Sequence, residues 1–217
     1  MKRCLILTLL ILTACAAPAI PEETSAPLSP TETASSPTEI STAQTESATP
    51  APTAESSTGV FSALPAPACT GVLTPENMEG PYYTPDTPEK DSLIEEGMQG
   101  DTLTLIGYVL DVNCQPIPNA WLDFWQADAN GEYDNVGYTL RGHQFTDAQG
   151  RYYLETVVPG LYSSRPIQHI HVKVQAPGGS VLTSQLYFPQ QPIDNLTVQL
   201  LEQSDGSSLA LFNFVIQ

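Results

Sequence analysis

The sequence predicts a mainly β fold, an Ig-like, Greek-key β-sandwich of mixed sheets preceded by a disordered tether. Three observations predict it. Short segments of alternating or continuous apolar character recur between residues 102 and 215. Clusters of Asn, Asp, Gly and Pro separate them. No long amphipathic helical period interrupts the pattern; at most a turn or two of helix is expected near 92–98. The expected divisions are a leader over 1–14, a tether over 15–68 and a sandwich domain over 69–217.

The first residues read as an export signal. Lys2 and Arg3 supply positive charge, and residues 5–12 supply an apolar run. The run is too short for a spanning helix, which needs about 20 apolar residues. It has the layout of a secretory leader. The ending Leu12-Thr13-Ala14-Cys15 resembles the lipobox of bacterial lipoproteins. That likeness implies cleavage before Cys15, lipidation of its thiol and an extracytoplasmic, lipid-anchored address with the membrane as a partner.

From 16 to about 68 the chain is Ser, Thr, Pro, Ala and Glu, without Lys or Arg. Its apolar residues are isolated, so it cannot bury enough surface to offset ordering entropy. Over the whole chain, 7 Lys and Arg face 24 Asp and Glu, a formal charge of −17. That balance argues against nucleic acid, which demands a positive face. It suits a protein that handles a small molecule.

The chain has four cysteines. Cys4 leaves with the leader and Cys15 carries lipid. The two that remain, in an oxidising compartment, predict a Cys69–Cys114 disulfide. Closing a loop of about 45 residues contributes roughly 4 kcal/mol in the chain-entropy picture.

Strands are expected over 102–110, 119–125, 152–157, 168–174 and 181–188, with later ones over 196–201 and 209–215. Within the fourth lies His169-Ile170-His171. On a strand, residues i and i+2 share a face, so two imidazoles project side by side, as a metal requires. They are two of only three histidines, in an otherwise apolar strand. Burying two unpaired imidazoles there would be costly. The third, His143, reads as a loop or surface residue. No carboxylate sits in the strand or just before it. The suitable groups upstream are Tyr162 and Tyr133. Phenolates are hard donors that suit a trivalent ion such as Fe(III).

A string of motifs surrounds these residues. It runs Gly80-Pro81-Tyr82-Tyr83, Asp111-Val112-Asn113-Cys114-Gln115-Pro116, Asp123-Phe124-Trp125-Gln126-Ala127-Asp128-Ala129-Asn130-Gly131-Glu132-Tyr133, Thr146-Asp147-Ala148-Gln149-Gly150 and His169-Ile170-His171. In this order, over about 74–190, it closely resembles the intradiol ring-cleavage dioxygenases, the enzymes that open catechols and protocatechuate. The resemblance implies one Fe(III) per chain, held by Tyr133, Tyr162, His169 and His171, with Tyr162 the ligand that substrate displaces. It implies that Arg165 stabilises charge on the substrate ring, that Gln185 lies near the oxygen-binding side, and that Tyr82 and Trp125 are pocket walls. It implies cleavage of a catechol-type substrate by O2 between the two hydroxylated carbons, giving cis,cis-muconate-type products. One departure stands out: three residues, not the family's usual two, separate Arg165 from His169. The chain lacks the helical N-terminal dimerisation region of the cytoplasmic catechol enzymes, so either a monomer or a homodimer is open.

Two rival readings are a non-catalytic Ig-like or transthyretin-like surface binding module, and a carrier using His169 and His171 for copper or zinc. Neither needs two tyrosines at these positions.

Overall fold

A computed structural model describes residues 57–162 and 165–217. The leader, Cys15 and the tether up to residue 56 lie outside the described residues. Short helical turns at Ser57–Val60 and Phe61–Ala63 fall in the stretch assigned to the tether. There the Arg151 guanidinium stacks over the Phe61 ring at 4.3 Å.

Among the described residues nine strands follow: β1 (Thr102–Leu110), β2 (Trp121–Trp125), β3 (Arg141–Phe145), β4 (Arg151–Val157), β5 (His169–Gln175), β6 (Val181–Tyr187), β7 (Gln199–Glu202), β8 (Ser208–Leu211) and β9 (Phe214–Val215). They form a β-sandwich, as expected. The first sheet has the order β4-β1-β8-β7, with β9 on β1. It is mixed, because β1 runs parallel to β8 and β9 and antiparallel to β4. The second has the order β3-β2-β5-β6 and is antiparallel throughout.

The core lies between the sheets. Leu103 and Leu105 of β1 and Leu154 of β4 meet Leu122 and Phe124 of β2 and Ile170, Val172 and Val174 of β5, each at most 1% exposed. Each such side chain contributes about 1.5–3 kcal/mol by leaving water. Because strand side chains alternate, the same β5 backbone turns His169, His171, Lys173 and Gln175 to the opposite face.

That outer face is covered. The chain before β1 pairs with the β6 edge (Asn77 N–H to Thr183 O, 2.9 Å) and crosses to the β3 edge (Lys90 N–H to His143 O, 2.9 Å). It then reaches β4 of the other sheet (Leu93 N–H to Glu155 O, 2.8 Å). A disulfide joins Cys69 to Cys114 in the turn after β1, with Cα atoms 5.4 Å apart.

Three expectations need correction. Strand β3 was not foreseen, and His143 lies within it rather than in a loop. Its sequence, Arg-Gly-His-Gln-Phe, lacks apolar alternation: the covering segment engages Arg141 and His143 through the Tyr82 and Thr87 carbonyls, and Gln144 accepts the Tyr153 N–H of β4. The expected strand over 209–215 is two strands. Between them the Asn213 carboxamide, not the backbone, accepts the Tyr108 N–H at 3.0 Å. Near 92–98 there is a turn at residues 96–97 and no helix.

Candidate metal centre

Register builds the centre. Pairing across the second sheet sets Arg141 opposite Trp125, Trp125 opposite His171 and His171 opposite Gln185. These four form one row on the outer face. In the neighbouring row His169 faces Tyr187.

The two imidazoles lie 4.8 Å apart between centroids and are 2% and 1% exposed. His169 Nδ1 is 2.7 Å from the Ile167 carbonyl. That contact assigns the proton to Nδ1 and leaves a lone pair on Nε2. Nε2 lies 3.5 Å from the Tyr133 hydroxyl. His171 stacks on the Trp125 ring at 4.8 Å and 10°. Its Nδ1 is buried without a hydrogen-bond partner among the described residues. Burial lowers the pKa of His169 to about 4. Burial, then the neighbouring His169, Arg165 and Arg141, lower that of His171 to about 2, while the Met78 carbonyl pulls slightly the other way without meeting hydrogen-bond geometry. Both rings are therefore neutral donors at ordinary pH.

Two loops interlock to bring in the tyrosines. Gly160 N–H and Gly131 N–H both donate to the Asp128 carbonyl, at 2.8 and 3.0 Å. Gly131 has φ +84°, and a Cβ there would collide with the Leu161 carbonyl. A Cβ on Gly160 would collide with the Ala129 carbonyl. Backbone thus packs on backbone, which only glycine permits at these points. The result sets the Tyr133 and Tyr162 rings 5.8 Å apart at 82°. Tyr82 stacks on Tyr133 at 4.3 Å. Burial, and then the Tyr162 phenol, push the Tyr133 phenol well above its ordinary range. It stays neutral until a strong cation takes the place of its proton.

Arg165 closes one side. Its N–H donates to Tyr162 O, and Ile167 N–H donates to Arg165 O. Its Nη2 donates to Gln185 Oε1 at 2.7 Å and to the Tyr187 hydroxyl at 2.8 Å. Tyr187 also donates to Gln185 Oε1 at 2.7 Å, and Asn77 Nδ2 donates to Tyr187 at 3.2 Å. Tyr187 carries no role in the motifs read from the sequence; its partner across the sheet, His169, marks its place.

Tyr133, Tyr162, His169 and His171 therefore converge, and Arg165 and Gln185 are joined beside them. Tyr82 covers Tyr133. Trp125 does not stand on an open wall: it is 1% exposed and wedged between His171 and Tyr83. Tyr83 in turn donates to the buried carboxylate of Asp123 at 3.0 Å, and Thr87 to the same group at 2.7 Å. Burial holds that carboxyl above the usual carboxylate range. His143 is engaged with Thr87 at 2.7 Å. Among the described residues no three His, Cys, Asp or Glu side chains cluster. The donor set is two imidazole nitrogens and two phenol oxygens. It fits a hard, highly charged ion, and the buried, unpartnered His171 nitrogen and the aim of His169 Nε2 agree with that.

Comparison with known proteins adds an independent line. The family model described as Dioxygenase matches residues 78–200, more than half of the chain. Catechol 1,2-dioxygenase of Acinetobacter guillouiae is 32% identical over 140 residues, 52% of this chain and 46% of that protein. The chain spans about half the length of the curated relatives it matches. Among solved structures, the dioxygenase domain of a dioxygenase–carbohydrate-binding protein fusion from Streptomyces sp. SirexAA-E is 45% identical with a TM-score of 0.64, covering 67% of this chain and 99% of that one. The 3-chlorocatechol 1,2-dioxygenase of Rhodococcus opacus 1CP is 27% identical with a TM-score of 0.61, covering 67% and 74%.

Proposed function

The chain belongs to the intradiol ring-cleavage dioxygenase family, and from that premise we propose that it is a non-haem Fe(III) enzyme that uses O2 to cleave a catechol-type ring between its two hydroxylated carbons, giving cis,cis-muconate-type products. The observation that carries this reading is the approach of the Tyr133 hydroxyl to His169 Nε2, 3.5 Å, beside His171 and Tyr162. A surface binding module has no use for that convergence.

In this reading Tyr133, Tyr162, His169 and His171 hold the ion. Iron held there would supply Lewis acidity towards a catechol. The remaining work falls to the chain. The Ile167 carbonyl holds the His169 ring by its Nδ1–H, so Nε2 keeps one direction. Trp125 fixes the plane of His171 by stacking. Tyr162, half-buried where both histidines are buried, would as a tyrosinate be the base able to accept a catechol proton. Arg165 is held by two neutral acceptors, Gln185 and Tyr187, so its charge stays available to a substrate anion. Tyr82, stacked on Tyr133, helps keep water from that side.

The substrate class is supported by the relatives, named for catechol and chlorocatechol. The same proposal places the protein outside the cytoplasm, anchored through a lipid on Cys15 by a tether that ends near residue 68, and acting as a monomer or homodimer. Oxygen uptake against a panel of catechols, with ring opening followed by ultraviolet absorbance, tests the reaction. Iron-loaded protein should be red to burgundy from tyrosinate-to-iron charge transfer. Colourless iron-loaded protein, or no oxygen uptake with any catechol, sinks the reading. Palmitate labelling that survives a Cys15→Ser change would overturn the anchor.

A further inference from the structure

Among the described residues, Lys90, Arg151 and Lys173 each form an ion pair with a carboxylate. Arg141 differs. It is 0% exposed and makes no such pair. Its Nε and Nη2 donate to the Asp134 carbonyl at 3.1 and 2.7 Å, and its Nη1 donates to the Tyr82 carbonyl. The Asp134 carboxylate is engaged elsewhere, accepting the N–H groups of Val136, Gly137 and Thr139 at 2.8–3.0 Å. A buried guanidinium hydrogen-bonded by carbonyls alone, with the Asp134 and Asp123 carboxylates acting on it only from beyond ion-pair range, is expensive, and an apolar side chain of similar volume often serves a fold as well. Its position calls for another explanation.

Its side-chain hydrogen bonds lead to one side chain. Asp134 follows Tyr133 in the chain. Tyr82 stacks on the Tyr133 ring. The guanidinium carbon itself lies 6.0 Å from the Tyr133 centroid, within cation–π range. Leu140, just before it, is buried with φ +53°, a strained conformation for a non-glycine residue. That local strain persists where the chain enters β3 and aims Arg141. On the other side Arg141 opposes Trp125, which stacks on His171.

We propose that Arg141 is the positioning residue for Tyr133: it clamps the loop carrying Tyr133 to the segment carrying Tyr82, and sets its cation at the Tyr133 ring so that the phenol oxygen stays directed at His169. The proposal rests on the reading of Tyr133 as a ligand. It extends that reading to a residue that touches neither substrate nor metal.

The test uses Arg141→Lys, which keeps charge but loses the fork, and Arg141→Met, which keeps volume alone. In metal-free protein, amide hydrogen exchange over 131–139 and 80–83 should rise at least tenfold in both variants. In iron-loaded protein the tyrosinate charge-transfer band should move or weaken in the direction seen for Tyr133→Phe, with Arg141→Lys between wild type and Arg141→Met. Exchange within twofold of wild type overturns the clamp. Faster exchange with an unmoved band overturns the placement of Tyr133 and leaves Arg141 a fold residue. If Arg141→Met fails to fold, Arg141→Lys decides alone by the same two readouts. If wild type takes up no iron, the dioxygenase reading falls, while the metal-free exchange still decides the clamp.

Discussion

The two sheets share one apolar core but differ on their other faces. Strand β4 of the first sheet alternates half-buried and buried, with Arg151, Tyr153 and Glu155 turned outward. Strand β5 of the second is buried at four successive positions, two of them histidines. The polar side chains turned outward on β4 meet water. On the second, Arg141, Asp123, His169, His171 and Gln185 are all buried under the segment that crosses the sheet. The lesson is one of division of labour. The inner faces supply stability by burying carbon. The covered outer face contains groups that stability alone would not select.

The sharpest way to break this contrast is at His171. On the proposed reading of His171 as a ligand, its loss should exceed the 10–100-fold effect typical of lost supporting groups, so His171→Ala should lower ring-cleavage activity by more than about 100-fold and abolish tight iron binding. Steady-state rates and metal analysis check it; near-wild-type activity would remove the outer face from the chemistry. Next in size is the disulfide. Replacing Cys69 and Cys114 together by Ser should cost roughly 4 kcal/mol in denaturant unfolding, with the iron band unchanged in the folded protein.

On the inner face, Leu122→Ala should cost about 3 kcal/mol of stability and leave kcat/KM of the folded fraction intact. A large loss of kcat/KM would show that the two faces are not separable. The metal-free protein should also be acid-sensitive. His169 has its pKa lowered from 6.5 to about 4 on folding, so between those values the unfolded chain binds the proton first. Stability is full above about pH 6.5 and falls as pH drops towards 4, by up to about 3 kcal/mol from this group. Urea midpoints across that range, compared with His169→Asn, measure it. Smallest is the partly exposed ion pair of Lys173 with Glu79, where Glu79→Gln should cost no more than about 1 kcal/mol.

Much of this division was legible in the chain. The alternation of Ile170, Val172 and Val174 against His169, His171 and Lys173 declares a two-faced strand. Gly131 and Gly160 stand where two loops must touch backbone to backbone, although only the fold shows that they touch each other. Strand β3 was hidden, because Arg141 and His143 look like surface residues until the covering segment engages them, and Gln144 until it turns towards β4 of the other sheet. Arg141 and Tyr187 escaped notice for the same reason: their partners, Tyr82 and Asp134 for one and Arg165, Gln185 and Asn77 for the other, are set by strand register and loop packing.

By itself the sequence determined the β-sandwich, the paired histidines on one face and the cysteine pair, because side-chain period and residue chemistry are local properties. Only the tertiary structure decided that Tyr133 meets His169, that Trp125 stands behind His171 rather than on an open wall, and that a buried guanidinium holds two loops around one phenol. Those facts depend on distances between segments far apart in the chain, and distance is what folding alone assigns.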